Sequence, residues 1–422
     1  MASRPCITAE RLVLQTEAYQ KYAGDAIPVF RAKVVKYIME HMTTLILEDE
    51  LIVGTPTNRY RGANLHPEFQ SSTKFYLAEL DEFPTRTKDP YDISQEDREL
   101  IRRTLPYWEG KAMQDIARAA LPAHTVACMD DDIITVGLTN GVSGETTCDH
   151  EKLLRAGLRG YMDECRANIA ALTPQCQLDE EKINFWQACI IQCEGLIAYA
   201  HRMAEEAERQ ASSCADDARR RELLTIAENC RIVPENPPET FQQALQLVWF
   251  VHVYFHIEVC TTANGFGRFD QYMWPYYKKD VLEDKRLTED EALELLECFY
   301  LKACEVFEVR DRWYATSFAG YPMWELLIVG GQTPDGQDAA NPLSYVCLEA
   351  ADELKTTQPV MAVRVWDGTP EALIRKGCRM IQEGQANPGF FNDNVAMQMA
   401  LGKGCSIEEA RDWTIVGCIQ PG

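Results

Sequence analysis

The chain has 422 residues, of which 46% are hydrophobic and 25% charged. This is the composition of a soluble globular protein with two or three domains' worth of core, and it excludes disordered, collagenous and low-complexity classes. Sixty-five acidic against 42 basic residues leave a net charge of −23, a field that repels phosphate backbones and anionic lipid surfaces, so neither nucleic acid nor membrane is an expected partner. Sixteen cysteines are spread too thinly for a disulfide scaffold, and no leader-like or membrane-length apolar run is present. The expectation is a reducing cytoplasm and free thiols.

In chain order, apolar residues recur at helical spacing from Glu10 to His41, interrupted near Pro28, so the chain is expected to open with helices rather than a sheet. Leu51, Ile52 and Val53 read as a buried strand ended by Gly54 and Pro56. Pro84, Pro90 and Ser94 mark a surface connection into a helix, and LPYWEGK (105–111) marks a packing corner. A glycine-rich loop, GLTNGVSGETTCDHEK (137–152), feeds a helix beginning near Asp149. Loops of this kind, held by helices, are frequent sites of ligand contact.

Residues 178–229 are almost wholly helical in pattern, with Cys189 and Cys193 expected as buried small side chains on one helix face. After Pro237 and Pro238 comes a helix apolar nearly all round, TFQQALQLVWFVHVYFHIEV, expected in the middle of the structure. His252 and His256 stand four apart on it, with Glu258 following. A metal site is conceivable there, but the spacing lacks the glutamate of a zincin motif and nearby acidic ligands are expected to be few. The reading is packed or hydrogen-bonded core histidines and no metal.

ELLIVGGQT and PVMAVRVW then read as strands on either side of a helix at Leu343 to Leu354, giving strand, helix, strand and hence an α/β class. Arg268 and Asp270 are expected to pair, Asn392 and Asp393 either to belong to a motif beside the candidate site or, equally, to cap the following helix, and Gly330 and Gly331 are too short a run for a phosphate loop. Cys418 follows a strand-like run, Trp413 to Val416, on a Gly/Pro loop. A cysteine beside a glycine is ordinarily structural, and this one gains meaning only from its surroundings.

Those surroundings are GRFDQYMWPYYKKD (267–280), NPLSYVCLEAADEL (341–354), PVMAVRVWDGTPEALIRKGCRMIQEGQANPGFFND (359–393) and SIEEARDWTIVGCIQP (406–421). Ahead of them, in order, stand DELIVG (49–54), PYWEGK (106–111) and DHEKLLRAGLRG (149–160). Together they closely resemble the pyruvate formate-lyase-like glycyl radical enzymes, and the resemblance covers essentially the whole chain. It implies N-terminal helices plus the first half of a ten-stranded α/β barrel. It also implies a lyase, formate C-acetyltransferase-like, in which a glycyl radical oxidises Cys418 to a thiyl that takes hydrogen from a small polar substrate. An S–H bond is close in strength to an activated C–H bond, so sulfur can take and return hydrogen at little net cost. No cofactor is bound in such enzymes. The radical is installed by an activating enzyme that uses S-adenosylmethionine and an iron–sulfur cluster, and the complete protein is expected as a homodimer.

Two departures qualify the resemblance. The radical glycine of the family lies in an Arg-Val-x-Gly-Tyr motif near the C-terminus of a longer chain, and residues 1–422 contain no such motif. The expectation is an incomplete pyruvate formate-lyase-like domain, inactive alone, that needs a C-terminal half or complementing subunit; the alternative is a catalytically silent remnant. Dehydratases of the family carry Gly-Cys-x-Glu, whereas Gln420 occupies the last position here, and an amide has no usable pKa near neutrality. Radical C–C or C–heteroatom cleavage without a base at 420 is the expectation, with a dehydratase using a displaced base as the alternative. Glu145, where related dehydratases show histidine, and Asn264, near their His-Ser pair, complete the substrate-binding candidates with Gln420.

Overall fold

The computed structural model describes residues 3–69, 75–131, 133–134, 145–417 and 420–422. A small parallel sheet, and not a helix, opens the chain. β1 (Cys6–Ile7) lies between β2 (Gly62–Asn64) and β3 (Asp92–Ile93), and β6 (Phe307–Glu308) adds beyond β2. The expectation of helices first is corrected here. Strands of two or three residues are too short to show alternation, and their partners lie far along the chain.

The helices Glu10–Lys21 and Ile27–His41 follow, with Pro28 in the first turn of the second, where its missing N–H costs nothing. Leu51 to Val53 are not a strand. Ile52 and Val53 are fully buried, but Val53 N–H donates to Gln246 Oε1 at 2.9 Å and Val53 O accepts from Gln246 Nε2 at 2.7 Å. One glutamine side chain satisfies both backbone groups that a neighbouring strand would otherwise pair.

The long helices His150–Ala171, Gln177–Ser213 and Asp217–Ile232 pack around Phe241–Glu258, fourteen of whose eighteen residues are buried. Cys189 and Cys193 are half-buried, not fully buried, and line an apolar cavity of about 520 Å³ between these helices. Every cysteine among the described residues is a free thiol. No helix among them is long and apolar enough to cross a membrane.

A second sheet follows. β7 (Leu326–Gly330), β8 (Val360–Val365) and β9 (Gly389–Asn392) run parallel, joined by the helices Pro342–Leu354 and Glu371–Gln382. Both faces of β7 are covered, as near-continuous apolar runs in parallel sheets require. Leu327 and Val329 face the helical core, while Leu326 and Ile328 pack with Trp413 and Ile415. On the other side of β7, Phe266 N–H donates to Leu326 O at 2.7 Å and Ile328 N–H to Gly267 O at 3.0 Å. These bonds attach β5 (Asn264–Gly265), which in turn pairs in parallel with β4 (Thr146–Thr147). The class is α/β, built of many helices and parallel sheets.

Arg268 and Asp270 are not the pair expected from their spacing. Arg268 reaches the Asp412 carboxylate and, at 2.7 Å, Gln332 O. Asp270 is fully buried and accepts from Gly330 N–H at 2.8 Å, Gln271 Nε2 at 2.8 Å and the Ser344 hydroxyl. The intervening backbone turns into the short helix Phe269–Tyr272 at Arg268 and sends the two side chains apart.

Candidate active site

The segment around Cys418 is a hairpin. β10 (Ile415–Val416) pairs antiparallel with β11 (Gln420–Pro421), matching Ile415 to Pro421 and Val416 to Gln420. Thr414 and Gly422 exchange both backbone hydrogen bonds, at 2.9 and 3.0 Å, and close it. Cys418 itself lies outside the described residues, as does Ile419. Gly417, where the turn begins, has φ +66°, a conformation glycine adopts at no steric cost. A β-carbon there would collide with Glu145 Oε2 and stand 2.5 Å from Gln420 Oε1. Glu145 and Gln420, 275 positions apart in the chain, thus close over the residue preceding Cys418.

Two of the predicted substrate-binding residues are therefore brought together, and the third is their neighbour by strand pairing. Asn264 is opposite Thr146, the residue after Glu145. Its side chain is buried and turned away toward the helical core, with Nδ2 3.4 Å from His252 Nδ1. Gly267 abuts Thr147 and Thr414, where a cavity of about 540 Å³ opens, lined also by His150, Arg268 and Tyr272.

What aims the hairpin is a buried ion pair two strands away. Asp393 accepts from Arg364 Nε at 2.7 Å and Nη2 at 2.9 Å, and both side chains are fully buried. Nη1 also donates to Trp413 O at 2.8 Å and Nη2 to Arg411 O at 2.7 Å, the carbonyls that lead into β10. Gly331 makes room for this, since a β-carbon there would lie 2.6 Å from Arg364 Nε. Asn392 caps the following helix as expected, accepting from Val395 N–H. Asp393 instead holds the arginine, a role its place in the capping pattern conceals.

Behind Asn264 the core holds a polar network that spacing does not reveal. His252 Nε2 is 3.0 Å and His256 Nε2 3.2 Å from Glu325 Oε1, and His66 Nε2 is 3.0 Å from Glu308 Oε2. The expectation of few nearby acidic ligands is overturned. Glu258 is turned outward to Arg31 at 3.2 Å, and Glu325 and Glu308 arrive from beside β7 and from β6. Burial disfavours the His256 imidazolium, but the Glu308 and Glu325 carboxylates beside it outweigh burial and raise its pKa to about 9. Burial dominates at His252 and lowers it, with the Glu325 charge opposing. Burial also works against the Glu308 carboxylate, yet His66, His256 and Arg310 hold it down at about 2.

His150, at the start of its helix, is buried and stacked on Tyr272 with ring centroids 4.8 Å apart. Burial, with His252 adding to it, lowers its pKa to about 3. The unfolded chain therefore binds a proton at His150 near pH 6.5 that the folded chain refuses. Stability from this group is complete above 6.5 and falls as pH drops toward 3, by up to about 1.4 kcal/mol per pH unit. The expected result is a shallower loss of urea stability between pH 6.5 and 5 in His150→Gln than in the parent. Equal slopes in the two proteins refute the assignment.

The geometry described is that of an α/β chain with parallel sheets and a hairpin of Ile415–Val416 and Gln420–Pro421 packed against them, and the comparisons agree. The family profile described as Pyruvate formate lyase-like matches residues 1–422, and the chain belongs to that family. It is 35% identical to the isethionate sulfite-lyase of Nitratidesulfovibrio vulgaris, over 99% of this chain and 52% of that protein. A solved structure concerned with 1,2-propanediol dehydration in Roseburia inulinivorans superposes with a TM-score of 0.96 at 35% identity, covering 100% of this chain and 53% of that one. A glycyl radical enzyme from Archaeoglobus fulgidus superposes at 0.92 with 31% identity, covering 100% and 54%. The chain spans about half the length of the relatives it matches.

Proposed function

We propose that this chain supplies the thiyl-bearing half of a glycyl radical lyase that cleaves a C–C or C–heteroatom bond of a small polar metabolite. The observation that carries the reading is the closure of Glu145 and Gln420 over Gly417, beside the cysteine. In the proposed step the Cys418 thiyl forms an S–H bond as a substrate C–H bond breaks, and the radical passes to carbon. The bond from the neighbouring carbon to the leaving group then breaks homolytically: one electron joins the carbon radical in a new double bond, the other departs with the leaving group, and that radical takes hydrogen back from the Cys418 thiol, which regenerates the thiyl. Gln420 holds the substrate through its amide, which donates and accepts hydrogen bonds but moves no proton. The glycyl radical comes from residues beyond this half, installed by an S-adenosylmethionine-dependent iron–sulfur activating enzyme, and the remainder of the barrel comes from a C-terminal half or a complementing subunit. The complete enzyme is a cytoplasmic homodimer.

Glu145 favours one second reading, dehydration with a displaced base. Its carboxylate stands over the same glycine as Gln420 and can hold the proton that an amide cannot. The test is anaerobic activation of the complete enzyme, followed by product analysis with isethionate and with vicinal diols. Cleavage that survives Glu145→Gln within about tenfold supports base-free elimination, whereas a loss of about 10²–10⁴-fold confined to diols identifies the displaced base. In the same assay, Gln420→Glu is expected to raise diol turnover. A full glycyl radical signal with no product from any small polar substrate overturns both readings.

A further inference from the structure

We propose that His252, His256 and Glu325 form a binding site for a divalent first-row cation such as Zn²⁺, with one coordination position left to water. The two histidines leave the same face of the buried helix one turn apart. Glu325 meets them from the residue before β7, where its backbone is pinned on both sides. Its N–H donates to Gln358 Oε1 at 3.0 Å, and its carbonyl accepts from Val360 N–H at 2.9 Å. All three side chains are buried, at 3%, 1% and 0% exposure. Among the described residues they are a group of ligand types whose donor atoms converge closely enough to share one ion.

The donor atoms make a nearly equilateral triangle. His252 Nε2 to Glu325 Oε1 is 3.0 Å, His256 Nε2 to Glu325 Oε1 is 3.2 Å, and the two Nε2 atoms are 3.3 Å apart. A cation at the usual Zn–N and Zn–O length of about 2.0–2.1 Å fits roughly 1 Å out of that plane, with an open apex. Two imidazoles and one carboxylate are also the donor set of known catalytic zinc sites.

Three mutual hydrogen bonds explain the triangle less well. Two nitrogens facing each other share at most one proton, and neither oxygen of Glu325 makes a hydrogen bond of regular geometry although both are buried. Short contacts at poor angles are what lone pairs converging on a common point produce. The far nitrogen of each ring also has a neighbour suited to orient it. His256 Nδ1 is 3.7 Å from Glu308 Oε1, and His252 Nδ1 is 3.4 Å from the Asn264 amide. A half-turn of that amide presents its oxygen to Nδ1–H and leaves Nε2 bare for a metal. A dication would also compensate the charge of a carboxylate fully shielded from solvent.

The test is a titration of the chelator-treated, full-length protein with Co²⁺ under anaerobic conditions, followed by Zn²⁺. One Co²⁺ per chain is expected, with the visible bands of a four-coordinate ion, no intense near-ultraviolet thiolate band, and displacement by Zn²⁺. Glu325→Gln, nearly isosteric, is expected to lower the affinity at least about a hundredfold, beyond the roughly 10–100-fold that loss of a partner behind the ligands costs. Stoichiometric binding retained in that variant, a thiolate band from the free cysteines, or no stoichiometric binding overturns the proposal. Should the variant not fold, the melting temperature of the parent decides. A rise with Zn²⁺ but not Mg²⁺, accompanied by the cobalt spectrum, supports the site, and no rise overturns it.

Discussion

Cys418→Ala in the activated, complete enzyme is expected to abolish turnover while leaving the glycyl radical signal at the parent's level. The thiol is the only group in the proposed step that takes hydrogen from substrate. Its removal therefore deletes the catalysed path rather than slowing it, a loss of at least about 10⁶-fold, the low end of enzymatic rate enhancement. Cys418→Ser, which keeps the shape, is expected to be equally inactive because an O–H bond is too strong to return its hydrogen to carbon radicals freely. Electron paramagnetic resonance and product analysis on the same sample separate the two consequences. Measurable turnover in the alanine variant removes Cys418 from the mechanism, and loss of the radical signal assigns it to radical storage instead.

The largest stability effect is expected at Asp393. Truncation to alanine leaves the fully buried Arg364 guanidinium without its carboxylate, and breaking a buried pair from one side costs about 3–5 kcal/mol. Burial already pulls the Arg364 pKa down even with Asp393 beside it, so the isolated cation is costlier still. The same change removes the acceptor of Trp413 Nε1 at 3.1 Å and the carboxylate that fixes the guanidinium bonded to the Trp413 and Arg411 carbonyls. The strand entering the cysteine hairpin then loses its anchor. Urea unfolding of Asp393→Ala checks the magnitude, and a loss below about 1 kcal/mol shows that the pair is not what holds this region. Replacing both partners by apolar residues of similar size is expected to recover part of the loss, since no charge is then left unpaired.

The helices were legible because burial of one face imposes a 3.6-residue period that survives in the sequence. The helix Phe241–Glu258 and the strands β7 and β8 fall where their apolar runs place them. The two-residue strands were not legible, because β1 and β6 have no room for a period. Leu51 to Val53 carries the composition of a strand, but its hydrogen bonds go to the Gln246 side chain, which no local pattern encodes. The same limit applies to charge pairing. Arg268 and Asp270 are near in sequence and find partners at Asp412 and Ser344.

By itself, the sequence determined the α/β class, the motif order of the glycyl radical family, and which residues are candidates for the chemistry: Cys418, Gln420, Glu145 and Asn264. Each is a property of residue type and order along one chain. Only the tertiary structure decided which of them meet. It put Glu145 and Gln420 over Gly417, turned Asn264 toward His252, and brought Glu325 to two histidines some seventy positions earlier. The reason is that parallel strands separated by helical crossovers juxtapose residues distant in sequence. Which side chains converge is then set by strand register and backbone direction, and neither is written in local spacing.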